Sequence, residues 1–163
     1  MNLLKKLNYL FYQVSKKTGA FMLLVLIVTV TMGIISRYLF NNPFTWVEEL
    51  ATFLFVWISF LGATTATYEK RHVAVDFLVS KLPGSVNGMI KIIVYLFILA
   101  FMVMIVAGSF ILFPTMQHVS VALRIPRYCY YISITLSSVM MFSIYLAELI
   151  EYLTMTKKGV SEA

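Results

Sequence analysis

An arginine, Arg37, closes one apolar stretch of the chain, and two adjacent carboxylates, Glu48 and Glu49, open the next. Opposite charges at neighbouring ends of two apolar segments invite an ion pair. A half-desolvated pair is stronger than a surface pair, and removing one partner strands the other. Two readings stay open: the pair closes the hairpin locally, or Glu49 or Arg37 meets a partner protein. Further along, His72 and Asp76 sit four residues apart, so on a helix they share a face and can hydrogen-bond. Two such ligands make a poor metal site. His118 falls in a loop. Glu148 and Glu151 stand where nearby lysines can pair with them. Cys129 is the lone cysteine, which excludes an intramolecular disulfide. No nucleophile–base constellation, glycine-rich phosphate loop or ligand cluster is legible. An enzyme is therefore not expected, and neither is a cofactor or a metal.

The elements that position these residues are four long apolar stretches, 20–36, 50–68, 92–113 and 128–147. Each is about as long as a helix needs to cross a hydrocarbon core. The spans hold almost no ionisable residue, whereas proteins that carry ions or polar solutes across a bilayer usually keep one at mid-depth. Of the 163 residues, 61% are hydrophobic and 12% charged, a balance unsuited to a soluble domain. The expected fold class is an all-α membrane protein: one four-helix membrane domain over 1–163, with an N-terminal and a middle-loop amphipathic interfacial helix.

Net charge is +6. The N-terminal segment, the middle loop and the tail hold every basic residue except Arg37, Arg124 and Arg127. That is the positive-inside pattern, with both termini cytoplasmic. The basicity therefore points to topology and to lipid headgroups, not to nucleic acid. A cleaved signal peptide is not expected, because the first apolar run is long and lacks a small-residue cleavage site before Arg37.

Leu3, Leu7, Leu10, Phe11 and Val14 recur at helical spacing, so residues 1–19 read as an amphipathic helix in the cytoplasmic interface before a turn into the membrane. Asn41-Asn42-Pro43 marks a turn. Thr45-Trp46-Val47-Glu48 has the form of a capping box that starts the second helix, with Trp46 in the outer aromatic belt. Val75, Leu78, Val79 and Leu82 predict a short interfacial helix stopped by Pro83-Gly84. Alternation from His118 to Ile125 predicts an extended outer segment. Small residues Ser59, Gly62, Ala63 and Ala66, with Thr29 and Gly33 on the first span, are spaced for close helix approach in lipid.

The run Arg37-Tyr38, then Pro43-Phe44-Thr45-Trp46-Val47-Glu48-Glu49-Leu50, then Phe55-Val56-Trp57, Leu61-Gly62-Ala63 and His72-Val73-Ala74-Val75-Asp76, resembles the small membrane subunit of tripartite ATP-independent periplasmic (TRAP) transporters, the DctQ-type family. Leu123-Arg124-Ile125-Pro126 resembles a second, weaker feature of that family. The resemblance implies a bacterial inner-membrane accessory subunit. Its partners would be a large multi-span subunit and a periplasmic substrate-binding protein. The pair would take up an organic acid, of C4-dicarboxylate or sialic acid type, with sodium. On that reading Arg37, Trp46, Glu48, Glu49, Gly62, His72 and Asp76 are partner-interface or structural candidates. The alternative is a self-contained four-helix multidrug exporter acting as a dimer, but that needs a mid-membrane carboxylate. A membrane redox enzyme needs more cysteines, or paired intramembrane histidines.

Overall fold

A computed structural model describes residues 2–69, 84–115 and 118–161, without the side chains of 2, 84–87, 115 and 155–161. The described chain is helical: α1 (Asn2–Tyr38), α2 (Thr45–Tyr68), α3 (Gly84–Leu112), a 3-10 turn at Phe113–Thr115 and α4 (Tyr128–Ser161). All four helices are long and apolar enough to cross a membrane. α1 packs along α2, α3 packs on α4, and α4 touches each of the other three.

The interior explains why these helices approach so closely. Leu99 and Met102 of α3 meet Met141, Tyr145 and Leu149 of α4 in one apolar cluster. Elsewhere Val47, Leu54, Leu61, Met140 and Ile144 are buried beside many small hydroxylated positions: Ser15, Thr29 and Ser36 on α1, Thr64 and Thr67 on α2, Ser133, Ser137 and Ser138 on α4. A small side chain lets two backbones meet where lipid supplies no hydrophobic drive. Thr29, Thr64 and Thr67 return their hydroxyl to the carbonyl one turn back, which satisfies the buried oxygen within its own helix. Many large apolar side chains point outward, among them Phe21, Leu24 and Ile27 on α1 and Phe97, Phe101 and Phe110 on α3.

The turn expected near residue 19 is absent. α1 is one continuous helix of 37 residues, ~55 Å at about 1.5 Å per residue, well beyond the ~30 Å hydrocarbon core. Nothing in Ser15-Lys16-Lys17-Thr18-Gly19 stops a helix, since a lone glycine costs only about 1 kcal/mol. The N-terminal half runs beside the C-terminal ends of α2 and α4 and is tied to both. Asn8 and Ser143 exchange two hydrogen bonds, Asn8 Nδ2 to the Ser143 carbonyl at 3.3 Å and Ser143 Oγ to Asn8 Oδ1 at 2.8 Å. Tyr12 stacks on Tyr68 with centroids 4.6 Å apart and donates to Glu69, which also receives Lys16 Nζ at 3.1 Å. Lys5 reaches Glu151 at 3.0 Å, and Tyr95 donates to Glu148 at 3.3 Å. The polar side of the amphipathic segment therefore faces the bundle, while Leu3, Leu7, Leu10 and Val14 are exposed. The interfacial helix expected over Val75–Leu82 lies outside the described residues.

Candidate functional site at the mouth of the first hairpin

The link between α1 and α2 places the first charged group. Leu39 N–H still bonds the Ile35 carbonyl, and Asn42 N–H reaches back to the Ser36 carbonyl at 3.2 Å. Asn41 makes this reversal in the left-handed region (φ 49°), a conformation that asparagine tolerates better than most residues. α2 then begins without the expected capping box. Its cap position is Phe44, extended and without a side-chain hydrogen bond, so Thr45 is already helical. Glu48 is not folded back on the helix start. Its Oε1 accepts from Arg37 Nη2 at 2.8 Å, with the two side chains 77% and 58% exposed. An arginine one short link away competes effectively for that carboxylate.

Glu49 goes elsewhere. Its carboxylate receives the backbone amides of three consecutive residues of the loop before α4: Val121 at 2.9 Å, Ala122 at 3.0 and 3.1 Å, and Leu123 at 2.8 Å. The Tyr130 hydroxyl approaches the Glu49 carbonyl at 3.5 Å. Amides converging on a charged carboxylate make charge-assisted bonds, stronger than those between neutral groups. The loop is folded to present them. Val119 and Pro126 form an isolated antiparallel bridge, Ser120 and Ile125 are joined by two hydrogen bonds, and Arg127 N–H bonds the His118 carbonyl. The predicted extended run is thus broken at its middle, where 121–123 bend and Arg124 takes φ 53°. Alternation of side chains survived as a pattern because both arms of a tight reversal are extended.

An open groove of about 650 Å³ runs beside the clasp, between α2 and α4. Thr52, Val56 and Ile134 form its walls, and Glu48, Val121 and Arg127 line its mouth. Tyr130, which also lines the groove, meets Phe53 edge-on with centroids 5.2 Å apart, and Trp57 lies 6.0 Å from Phe53. Trp46 is half-buried and stacks on Phe44 at 6.0 Å.

The other candidates separate. Gly33 faces α2 so tightly that an added Cβ would stand 2.6 Å from Val47 Cγ1, whereas one at Gly62 would meet nothing within 4 Å. Gly62 is thus open on the outer side of α2 and does not serve the first hairpin. His72 and Asp76 lie outside the described residues. Among the described residues no group of three metal-ligating side chains exists. Two features had escaped the sequence reading: the Glu49 clasp and the Asn8–Ser143 exchange. Asn8, Tyr12 and Lys16 are spaced four apart, so their polar face is there to be read in the sequence, whereas backbone amides leave no trace in it.

Residues 26–155 match the family model described as tripartite ATP-independent periplasmic transporters, DctQ component. The chain belongs to the DctQ family. A putative TRAP transporter small permease protein of Haemophilus influenzae is 37% identical over 86 residues, 53% of either chain. The sialic acid TRAP transporter small permease protein SiaQ of Vibrio cholerae is 31% identical over 80 residues, 49% of this chain and 46% of that protein. The sialic acid TRAP transporter permease protein SiaT of Haemophilus influenzae is 36% identical over 72 residues, which is 42% of this chain and 12% of that much longer protein. The matches thus span about half, or less, of the length of these relatives. For this DctQ-family chain, a multi-pass membrane protein, the end of the bundle where α2 and α4 begin is where charge, groove and ordered loop coincide.

Proposed function

We propose that this chain is an accessory scaffold subunit of a TRAP transporter, bracing a large multi-span subunit during sodium-coupled uptake of an organic acid. Membership of the DctQ family supports the transporter setting. Relatives named for a C4-dicarboxylate and for sialic acid suggest the class of substrate. The observation that carries the scaffold role is the charge-free middle of the bundle. No ionisable carboxylate, amine, imidazole or guanidinium group stands between Lys17 and Arg37, between Glu49 and Glu69, between Lys91 and Leu112, or between Tyr128 and Ala147. A path for sodium or a carboxylate through this chain would need polar groups at that depth. The buried hydroxyls are turned to their own helices and to packing. The basic N-terminus, middle loop and tail favour the cytoplasmic side of a bacterial inner membrane, and the outer mouth then faces the periplasm. The amphipathic N-terminal half and the middle loop would set depth against lipid.

The open face at Gly62 is the expected contact for the large subunit, since a glycine exposed on a membrane helix permits close backbone approach. Co-expression with a tagged large subunit tests the assembly. Recovery of both chains in one monodisperse detergent complex is expected. A large subunit that purifies folded and alone, with this chain left behind, would overturn the proposal.

A further inference from the structure

The groove between α2 and α4 passes from charged groups into apolar depth. α2 starts at Thr45 and α4 at Tyr128, and both are long and apolar enough to cross a membrane. Glu48 and Arg127, beside these helix starts, therefore stand near the level of lipid headgroups. Thr52 and Tyr131 follow one turn further in, and Val56 and Ile134 form the deep end. Val56 lies ~16 Å along α2 from Thr45, and Ile134 ~9 Å along α4 from Tyr128, at about 1.5 Å per residue. The lining thus changes from ionic to hydroxyl to aliphatic in the direction in which a phospholipid changes from headgroup to acyl chain. The charges at the mouth are unevenly engaged. Glu49 is held by loop amides, and Glu48 gives Oε1 to Arg37 while its Oε2 accepts no hydrogen bond among the described residues. Arg127 is exposed, and its guanidinium takes part in no ion pair among the described residues.

We propose that this groove is a binding site for one phosphatidylethanolamine molecule. Arg127 binds the phosphate, Glu48 accepts a hydrogen bond from the ammonium, and an acyl chain lies along Val56 and Ile134. A guanidinium presents a planar fork of donors that suits a phosphate, and the bonds are charge-assisted. A carboxylate offers only acceptors, so it selects a headgroup that carries N–H donors. Phosphatidylcholine has the same charges but no N–H, and phosphatidylglycerol has no cation for Glu48 to meet. The groove volume of about 650 Å³ is within the usual range of sites for small molecules. The loop before α4 fixes where the guanidinium starts, since the Arg127 N–H bonds the His118 carbonyl and Glu49 holds the amides of Val121, Ala122 and Leu123. A lipid held there fills the gap between α2 and α4 at the end where no large side chain does so.

The test uses the full chain, purified in detergent and stripped of lipid, then supplied with phosphatidylethanolamine, phosphatidylcholine or phosphatidylglycerol of identical acyl chains. Native mass spectrometry reads the lipid retained, and thermal unfolding reads the stabilisation that a ligand of the folded state brings. One phosphatidylethanolamine should be retained, with about threefold higher affinity than phosphatidylcholine. Arg127→Gln should weaken its binding about tenfold. Glu48→Gln should abolish the preference for phosphatidylethanolamine and leave phosphatidylcholine binding as it was. Val56→Trp fills the apolar end and should remove retention while helical content stays at the parent value. Equal retention of the three lipids by the parent chain would mean ordinary contact with surrounding lipid and would overturn the site. Unchanged affinity in both Arg127→Gln and Val56→Trp would do the same. Displacement of the lipid by millimolar inorganic phosphate would replace it with a simple anion site. Loss of the lipid on co-purification with the large subunit would assign the groove to that subunit and overturn the proposal.

Discussion

Gly33→Ala and Gly62→Ala change the same atom on two helices in opposite surroundings. At Gly33 the new Cβ would stand 2.6 Å from Val47 Cγ1. Carbon atoms prefer about 3.5–4.0 Å, so roughly 1 Å must be opened. Val47 is buried, and as a β-branched residue on a helix it has little rotameric freedom to withdraw. The helices must part instead, and overpacking of this kind costs about 1–3 kcal/mol. Replacing glycine by alanine inside a helix contributes up to about 1 kcal/mol the other way at both positions. The difference between the two variants cancels that gain and isolates the steric cost. Gly33→Ala should therefore be about 1–3 kcal/mol less stable than Gly62→Ala, read by SDS-driven unfolding of the lone chain in dodecyl maltoside micelles. Adding Val47→Ala removes the offending methyl groups and should recover most of that difference, with a coupling energy of about 1–3 kcal/mol. Equal stabilities for the two glycine variants, or no recovery with Val47→Ala, would refute the close approach of α1 and α2 at this point.

Gly62→Leu should leave the stability of the lone chain near the parent and sharply reduce co-purification with the large subunit; unchanged recovery would remove this face from the interface. Asn8→Ala and Ser143→Ala should each destabilise by about 1–2 kcal/mol, and the double variant by less than their sum, because the Ser143 hydroxyl donates to the Asn8 side-chain oxygen and either variant alone breaks that bond. Additive losses in a double-mutant cycle would mean that the exchange does not form. In reconstituted uptake, Glu49→Ala should impair transport more than Glu48→Gln: the first releases a loop, while the second weakens one exposed ion pair. A larger loss for Glu48→Gln would reverse the assignment.

The four spans were legible because length and apolar content suffice to mark a membrane helix, and the loop charges reported their ends. The course of α1 was not. The spacing of Leu3, Leu7, Leu10 and Val14 reveals an amphipathic helix, but the pattern cannot say which medium each face meets. Here the polar face, with Asn8 and Tyr12, turns to neighbouring helices. Thr45 and Glu48 fit a capping pattern by spacing alone, and that pattern ignores the competing arginine across the link. Residue types alone left Glu49 open to a local ion pair or to a partner contact. Its partners are amides more than seventy residues away in the chain, and only the folded loop brings them together. Glycines 33 and 62 look alike in sequence, yet one faces a neighbouring helix and the other faces out.

The scaffold claim is tested most directly by sodium-driven uptake in liposomes carrying the large subunit alone, this chain alone, or the two together, each with the substrate-binding protein outside. The account predicts substrate accumulation with the pair, none with this chain alone, and a large loss with the large subunit alone. Equal uptake by the large subunit without this chain, or uptake by this chain unaided, would contradict it.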